Sequence, residues 1–165
     1  MGMNPADAEA TGAAAISQQV LDRMLIHDLF TRYYSGLGGG DYDWFGAFFT
    51  EGAELDVNGV VARGREEIAD VYRRIAQDKP KLIGQFRMIL SNELIEVNGD
   101  RATARMMWTQ TLNETLKGQP RLIEQGLETD ELIKQDGAWK ITKRVVTADS
   151  NLPDMMDETY VAHSA

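Results

Sequence analysis

Carboxylates in two predicted strands are the side chains of this sequence best suited to acid–base chemistry. Asp56 precedes the Asn58-Gly59 turn, and Glu128 and Asp130 lie on one face of a later strand. Desolvation raises the pKa of a carboxyl, so a buried carboxyl can donate a hydrogen bond while a wetter one acts as base. Asp56 is either such a base at the rim of a cavity or a solvent-facing carboxylate near a turn. Strand alternation alone leaves open whether Glu128 and Asp130 face the interior or water.

A tyrosine near the end of the first predicted helix, Tyr33, adds a hydroxyl donor to this set. A tyrosine in such a position is usually a half-buried packing residue with a wet hydroxyl. The functional alternative is a hydrogen bond to an oxyanion that develops during a reaction. Taken alone, the position of Tyr33 favours packing.

Several reaction classes have no motif in the sequence. It contains no Gly-x-Ser-x-Gly nucleophile elbow, no phosphate-binding Gly-Lys-Ser/Thr loop and no dinucleotide fingerprint. Cysteine is absent, and the two histidines, His27 and His163, lie far apart, which makes a poor metal site. We therefore predict neither a metal nor a cofactor.

The elements that must position these residues are predicted as helices first and strands afterwards. Helical spacing of apolar residues predicts three helices, near residues 17–37, 42–49 and 65–79. Period-two patterns and turn residues predict a hairpin around Asn58-Gly59 and a four-stranded meander at 87–97, 101–115, 121–134 and 138–147. This order indicates an α+β fold, in which a curled antiparallel-rich sheet and about three N-terminal helices enclose a pocket.

Both ends of the chain are predicted to lie outside this domain. Residues 1–15 are small and polar without periodicity, which predicts a disordered arm. Glycines 38–40 are predicted to end the first helix, with Asp41 as the N-cap of the next. The acidic residues 150–165 are predicted to form a tail, so the domain is predicted to span residues 16–149.

The charge of the chain limits its partners. The formal net charge of −9 argues against nucleic acid and anionic membranes, because phosphates are bound by clustered Lys and Arg. No run of 18 apolar residues is present, and the first 15 residues lack the pattern of a signal peptide. These patterns predict a cytoplasmic protein.

Six short motifs follow one another in a defined order along the chain. They are Arg32-Tyr33, Phe49 to Asp56 (FTEGAELD), Arg63 to Ile68 (RGREEI), Ser91-Asn92, Val97 to Ala102 (VNGDRA) and Asp136 to Ile141 (DGAWKI). In this order and spacing they resemble the SnoaL-like proteins of the NTF2-like superfamily. Relatives in that superfamily include ketosteroid isomerases, polyketide cyclases and dehydratases, and the resemblance covers about residues 16–149.

The resemblance implies a fold and a set of roles. The fold is an NTF2-like (cystatin-like) cone around a deep pocket, often in a homodimer that uses the outer face of the sheet. Tyr33 matches an oxyanion-donating tyrosine, Asp56 falls at or within one residue of a general base, and Asp130 matches a protonated or acid–base aspartate. The expected pocket lining is Trp44, Phe48, Met88, Met106 and Trp108, together with Glu128. Met88 stands where dehydratases use a histidine, which disfavours histidine-driven dehydration.

The leading hypothesis from the sequence is therefore an isomerase, cyclase or lyase that transfers protons, without a cofactor, on a hydrophobic cyclic or aromatic substrate. The alternative is a small-molecule-binding protein or accessory subunit without catalysis. A third hypothesis is an epoxide hydrolase, which needs an arginine between two pocket aspartates. Arg105 lies on the wrong face relative to Trp108 for that arrangement.

Overall fold

The computed structural model describes residues 5–37, 43–78, 85–113 and 117–149, which form a mixed six-stranded sheet with helices packed against its inner face. The elements in chain order are α1 (Pro5–Gly36), a 3₁₀ helix (Asp43–Phe48), β1 (Phe49–Val57), β2 (Val60–Arg63), α2 (Gly64–Asp78), β3 (Gln85–Asn98), β4 (Arg101–Asn113), β5 (Arg121–Gln135) and β6 (Ala138–Ala148). The strands β3 to β6 match the predicted meander, and the hairpin β1–β2 lies where Asn58-Gly59 predicts it.

The strand order in the sheet is β2-β1-β6-β5-β4-β3. All neighbouring strands are antiparallel except β1 and β6, which are parallel. The last described strand in sequence, β6, therefore lies between β1 and β5. This order brings side chains from the start and the end of the domain next to each other.

The first helix begins earlier than the sequence pattern predicted. α1 starts at Pro5 and includes residues 5–15, which were expected to belong to a disordered arm. Proline is favoured at the first helical position, acidic residues such as Asp7 and Glu9 are favourable near a helix N-terminus, and alanine has the highest helix propensity. The prediction gave weight to the missing apolar periodicity and too little to these local preferences.

The number of helices also differs from the prediction of about three. The described residues contain two α-helices, and the predicted second helix is a 3₁₀ helix of six residues. A segment this short with Gly46 inside it gains little from α-helical hydrogen bonds, and its aromatic rings fix it by packing. The predicted helix stop at glycines 38–40, the cap at Asp41 and the tail 150–165 lie outside the described residues.

The core fills the space between the helices and the inner face of the sheet. Every second residue of β4 from Ala102 to Leu112 is buried, as expected for a strand with one face inward. Between helices and sheet, Tyr33 packs edge to face against Phe45 and Phe48, with ring centroids 4.7 Å and 5.4 Å apart. The tyrosine predicted at the end of the first helix is thus a core residue.

A buried carboxylate fastens α1 to the β5–β6 hairpin. Asp22 Oδ1 accepts hydrogen bonds from Lys134 Nζ at 2.7 Å and from Trp139 Nε1 at 3.0 Å. Its other oxygen accepts from Gln18 Nε2 at 3.1 Å. Burial alone raises the pKa of Asp22, but the bonds from Lys134, Gln18 and Trp139 outweigh it, so the pKa is lowered.

Candidate active site

The strand register selects which polar side chains of the sheet point into the core. Asp130 pairs with Arg144 across β5 and β6, and Arg144 pairs with Leu55 across β6 and β1. All three side chains are buried. The next row, Val145 and Asp56, faces the opposite side because successive residues of a strand alternate.

Arg144 lies between two carboxyl groups in the interior. Its Nε donates to Asp130 Oδ1 at 2.7 Å, and its Nη2 lies 3.2 Å from Glu128 Oε1. The side chains of all three residues are 0% exposed. Asp130 Oδ2 and Glu128 Oε1 accept no hydrogen bond from the described residues. We call Glu128, Asp130 and Arg144 the acid–arginine cluster.

Aromatic rings surround the guanidinium of Arg144. Its central carbon lies 4.1 Å from the ring centroid of Tyr33. The rings of Phe30, Phe49 and Tyr34 lie at 5.6 Å, 5.7 Å and 5.8 Å. These distances are in the range of cation–π interactions, which stabilise a cation away from water. The rings therefore keep Arg144 charged in a site without solvent.

Three tyrosine hydroxyls adjoin the acid–arginine cluster. The hydroxyls of Tyr33 and Tyr72 are hydrogen-bonded to each other, and the hydroxyl of Tyr34 donates to Glu128 Oε2. Burial raises the pKa of each of these tyrosines, and the neighbouring charge of Glu128 adds to the effect at Tyr34. All three hydroxyls therefore keep their protons over the ordinary pH range and serve as donors.

The protonation of the cluster follows from its charges. Burial raises the pKa of Asp130 well above its ordinary value; Arg144 opposes this effect, while the charge of Glu128 and a hydrogen bond to it raise the pKa further. Burial lowers the pKa of Arg144, but the two carboxylates outweigh it and the pKa is raised. Two carboxylates beside one guanidinium leave an excess negative charge, so one carboxyl retains a proton. The raised pKa of Asp130 favours the protonated form of this carboxyl.

A cleft of about 660 Å³ lies beside the cluster, between α1 and β3. Its walls include His27, Thr31 and Tyr34 of α1 and Met88, Leu90 and Glu93 of β3. Tyr34 also contacts Glu128, so this side chain separates the cleft from the buried cluster. The volume is within the range of small-molecule sites.

The structure brings two of the three predicted catalytic residues together. Tyr33 and Asp130 both contact Arg144, Asp130 through a hydrogen bond and Tyr33 through its ring. Asp56 is not part of this group. It faces the opposite side of the sheet, and its Oδ1 accepts the Gly59 N–H at 2.8 Å in the hairpin turn. The expectation of a general base at Asp56 is corrected: this carboxylate stabilises a turn.

Met88, Met106 and Glu128 have different positions in the predicted pocket. Met88 lines the cleft. Met106 is buried in the core, pairs with Glu128 across β4 and β5, and does not line the cleft. Glu128 belongs to the acid–arginine cluster and reaches the cleft only through Tyr34.

The three remaining predicted lining residues pack in other places. Trp108 lies on Gly126, where a Cβ would come within 2.8 Å of its ring, and its Nε1 donates to the Leu127 carbonyl at 3.3 Å. Trp44 covers Gly36 at the end of α1. Phe48 packs on Tyr33. Trp44 and Phe48 thus pack against the hydrophobic core.

Comparison with known proteins gives the same family as the sequence motifs. A family model described as SnoaL-like domain matches residues 18–145. The chain belongs to the SnoaL-like family. This confirms the resemblance read from the motifs. No curated protein matches the sequence.

Solved structures similar to this SnoaL-like protein share its fold. A protein of unknown function from Mycobacterium tuberculosis is 28% identical, with a TM-score of 0.69 over 98% of this chain and 86% of the other. A cystatin-like protein of unknown function from Nostoc punctiforme is 25% identical, with a TM-score of 0.70 over 81% and 95%. An NTF2-like protein from Novosphingobium aromaticivorans is 22% identical, with a TM-score of 0.69 over 86% and 90%. The predicted NTF2-like, cystatin-like fold is confirmed.

Membrane-spanning helices and clustered metal ligands are both absent from the described part of this SnoaL-like chain. No described helix is long and apolar enough to cross a membrane. Within residues 5–37, 43–78, 85–113 and 117–149, no three His, Cys, Asp or Glu side chains are grouped so that they could hold a metal ion.

Arg144 is the member of the acid–arginine cluster that sequence reasoning missed in this SnoaL-like protein. Trp139 and Ile141 face inward, so strict alternation places Arg144 outward. A bulge between these positions shifts the register, because Leu132 pairs with Ile141 while Glu131 pairs with Lys143. The extra residue turns Arg144 inward. The sequence shows a charged residue, Arg144, after the alternating apolar residues Trp139 and Ile141. Only the bulge, which the sequence does not show, determines that Arg144 faces inward.

Proposed function

We propose that this SnoaL-like protein is an enzyme that transfers protons, without a cofactor, on a small hydrophobic cyclic or aromatic molecule. The observation that carries the proposal is the buried guanidinium of Arg144 between the carboxyl groups of Glu128 and Asp130. Burying three ionisable groups is costly, and well-packed apolar residues in their place are often as stable or more so. The acid–arginine cluster therefore favours a chemical role over a purely structural one.

The cluster supplies one acid and one base. With Arg144 charged and the protonated form of Asp130 favoured, we assign the role of base to Glu128. Asp130 can give a proton, Glu128 can accept one, and Arg144 holds both carboxyl groups at fixed positions. This division replaces the role that the sequence assigned to Asp56.

Tyr34 connects the cluster to the substrate. When a ligand in the cleft replaces Glu128 as the partner of the Tyr34 hydroxyl, that hydroxyl donates to the ligand oxygen. Glu128 then takes a proton from the adjacent carbon, the C–H electron pair forms an enolate, and Tyr34 stabilises the enolate oxygen. The proton of Asp130 completes the reaction at oxygen or at a second carbon. Isomerases, cyclases and lyases share this first step.

Hydrogen–deuterium exchange in D₂O tests the proposal without knowledge of the natural substrate. The probe is 2-tetralone, a bicyclic ketone whose C1 methylene exchanges when a base removes a proton. We expect wild type to accelerate exchange over buffer, and Glu128→Gln to lower the enzymatic rate by roughly 10²-fold or more. Glu131→Gln, on the exposed face of the same strand, is the matched control. Wild-type exchange no faster than buffer, for 2-tetralone and for 1-naphthol, would leave the binding protein as the better description.

Water activation is a second candidate function, because an arginine lies between two acidic side chains. Arg144 supplies the residue that the epoxide hydrolase hypothesis required and that exposed Arg105 does not. In this reaction Glu128 takes a proton from water as the water attacks an epoxide carbon, and Asp130 protonates the oxygen of the breaking C–O bond. Styrene oxide in H₂¹⁸O separates the two candidates. A singly labelled diol supports hydrolysis, whereas deuterium exchange of 2-tetralone without diol supports proton transfer.

We also propose a homodimer formed through the outer face of the sheet. Apolar side chains on that face are exposed, among them Ile89 at 52% and Leu122 at 58%. These two pair with Thr109 and Thr111 of β4, which also point outward. Sedimentation velocity is expected to give a dimer for wild type and a monomer for the Ile89→Asp, Leu122→Asp double variant. A monomeric wild type refutes the proposed assembly.

A further inference from the structure

The cleft between α1 and β3 carries a second pair of ionisable groups, one from each of these elements. His27 Nδ1 lies 2.6 Å from Glu93 Oε2. We propose that His27 and Glu93 form a second acid–base centre at the mouth of the cleft, with His27 as the catalytic base that takes the carbon-bound proton to solvent. The inference rests on the proposed function and changes one role within it: His27, in place of Glu128, removes the carbon-bound proton, and the acid–arginine cluster returns a proton to the substrate. In this reaction one centre, His27 with Glu93, removes a proton from the substrate, and the other, the acid–arginine cluster, supplies one.

A bulge in β3 turns Glu93 toward the helix. Ser91 pairs with Met107 and Leu94 pairs with Arg105, so three steps on β3 oppose two on β4. Asn92, within the bulge, has φ 54°, and its Nδ2 lies 3.2 Å from Met107 Sδ on the outer face. A bulge with a left-handed residue redirects the next side chain. Here that side chain is Glu93, which lines the cleft.

The helix places His27 on the same wall of the cleft as Tyr34. His27, Thr31 and Tyr34 follow at i, i+4 and i+7, which is one face of an α-helix. Seven residues span about 10 Å along the axis. Both candidate centres therefore contribute side chains to one cleft.

The carboxylate fixes the tautomer of the imidazole. An ionised carboxylate only accepts hydrogen bonds, so Nδ1 donates to Glu93 and the neutral ring keeps a lone pair on Nε2. Nε2 has no hydrogen-bond partner among the described residues, and the side chain of His27 is 61% exposed while that of Glu93 is 20% exposed. A half-buried carboxylate thus orients an accessible base, which is the geometry of a base with an orienting group.

The proton balance of the two-centre reaction is complete. His27 Nε2 takes a proton from the carbon next to a carbonyl, and the C–H electron pair forms the enolate. Tyr34 donates to the enolate oxygen, and a proton held by Asp130 is delivered to the enolate carbon or, in a conjugated dienolate, to its remote carbon. His27 loses its proton to water, and the acid–arginine cluster regains one. The proton removed from substrate is therefore exchanged with solvent.

Two measurements on the full chain test this inference. The first is the rate of deuterium incorporation at C1 of 2-tetralone, where His27→Gln is expected to lower the enzymatic rate roughly 10²-fold. Glu93→Gln is expected to lower it less, because Glu93 only orients the ring. Asp28→Asn is the matched control, since Asp28 is the next residue of α1 and pairs with Arg32 outside this cleft.

The second measurement is the tautomer of His27 from long-range ¹H–¹⁵N NMR spectra. His163→Asn leaves His27 as the single histidine of the chain. We expect the proton on Nδ1 in this variant and a shift toward Nε2 when Glu93→Ala is added. A proton on Nε2 at the outset overturns the inference.

The exchange data distinguish the two proposals. Unchanged exchange in His27→Gln, together with loss in Glu128→Gln, overturns the second centre and leaves the proposed function intact. Absence of wild-type exchange over buffer overturns the proposed function and this inference with it.

Discussion

Two groups of buried charges in this protein differ in how completely they are satisfied. Asp22 accepts hydrogen bonds from Lys134, Trp139 and Gln18, so one carboxylate meets one ammonium and two neutral donors. In the acid–arginine cluster, two carboxyl groups share one guanidinium, and one oxygen of each accepts no hydrogen bond from the described residues.

The difference separates a structural device from a chemical one. Around Asp22 the donors outweigh burial and lower the pKa, so the carboxylate is ionised and has no proton to exchange. Around Asp130 burial outweighs Arg144 and raises the pKa, which favours the protonated form of this buried carboxyl. The Asp22 carboxylate, whose hydrogen-bond acceptors all have donors, joins two structural elements. The acid–arginine cluster, which has more carboxyl groups than cations, favours a carboxyl that keeps a transferable proton.

Removal of the cation is the largest expected effect. Arg144→Ala leaves two carboxyl groups buried without their cation, and we expect a loss of about 3–5 kcal/mol in the free energy of unfolding. Lys134→Ala is expected to cost about 1–2 kcal/mol, because Asp22 keeps two donors and Lys134 is itself partly exposed. Urea denaturation of both variants measures the difference.

A triple variant serves as the control for this prediction. Glu128→Gln, Asp130→Asn and Arg144→Met together remove every charge of the cluster. We expect it to recover most of the stability lost in Arg144→Ala. Equal losses in the triple and single variants would mean that packing volume, not uncompensated charge, sets the cost.

The pH dependence of stability is expected to have opposite signs in the two groups. The folded-state pKa of Asp130 is raised, so its contribution is fully present below the ordinary aspartate pKa of about 3.9 and is lost as the pH rises toward the folded value. Wild type should therefore lose stability relative to Asp130→Asn above about pH 4, by up to about 1.4 kcal/mol per pH unit.

The pKa of Asp22 is lowered, so its contribution is present above the ordinary aspartate pKa and is lost as the pH falls through the folded value. Asp22→Asn should thus approach wild-type stability in acid. Melting temperatures of the three proteins from pH 3 to pH 8 measure both trends. Parallel curves for wild type and Asp130→Asn would show that Asp130 holds no extra proton in the folded state.

Single hydroxyl and indole donors give the smallest expected effect. Trp139→Phe removes one of three donors from Asp22 and should cost about 1 kcal/mol in unfolding free energy. Tyr34→Phe should cost no more than that, because Tyr34 is only partly buried, yet it should slow exchange of 2-tetralone. Unfolding free energies and exchange rates, measured on the same variants, separate the effect on stability from the effect on catalysis. Loss of stability without loss of exchange in Tyr34→Phe would contradict its role at the cleft.

The sequence predicted strands and turns better than it predicted which side chains face the interior. Four meander strands and the Asn58-Gly59 turn follow from period and turn chemistry, and both glycine and asparagine there have positive φ. Asp130 was identified through family motifs. Arg144 and Glu93 were missed because each follows a bulge, which breaks the alternation from which facing is inferred. Asp56 was assigned the wrong role because the sequence of a carboxylate before a turn is the same whether the side chain binds the turn backbone or a substrate.

The central position of β6 has a consequence for biosynthesis. On the ribosome, β1 and β5 both emerge before the strand that separates them, so each waits with an unpaired edge. Asp130 and Glu128 can remain hydrated during this interval, since their cation arrives with β6. The three ionisable groups are thus desolvated only in the last step of folding, when β6 inserts between β1 and β5. Such long-range pairing favours slow folding. The unpaired strand edges need protection from aggregation until then.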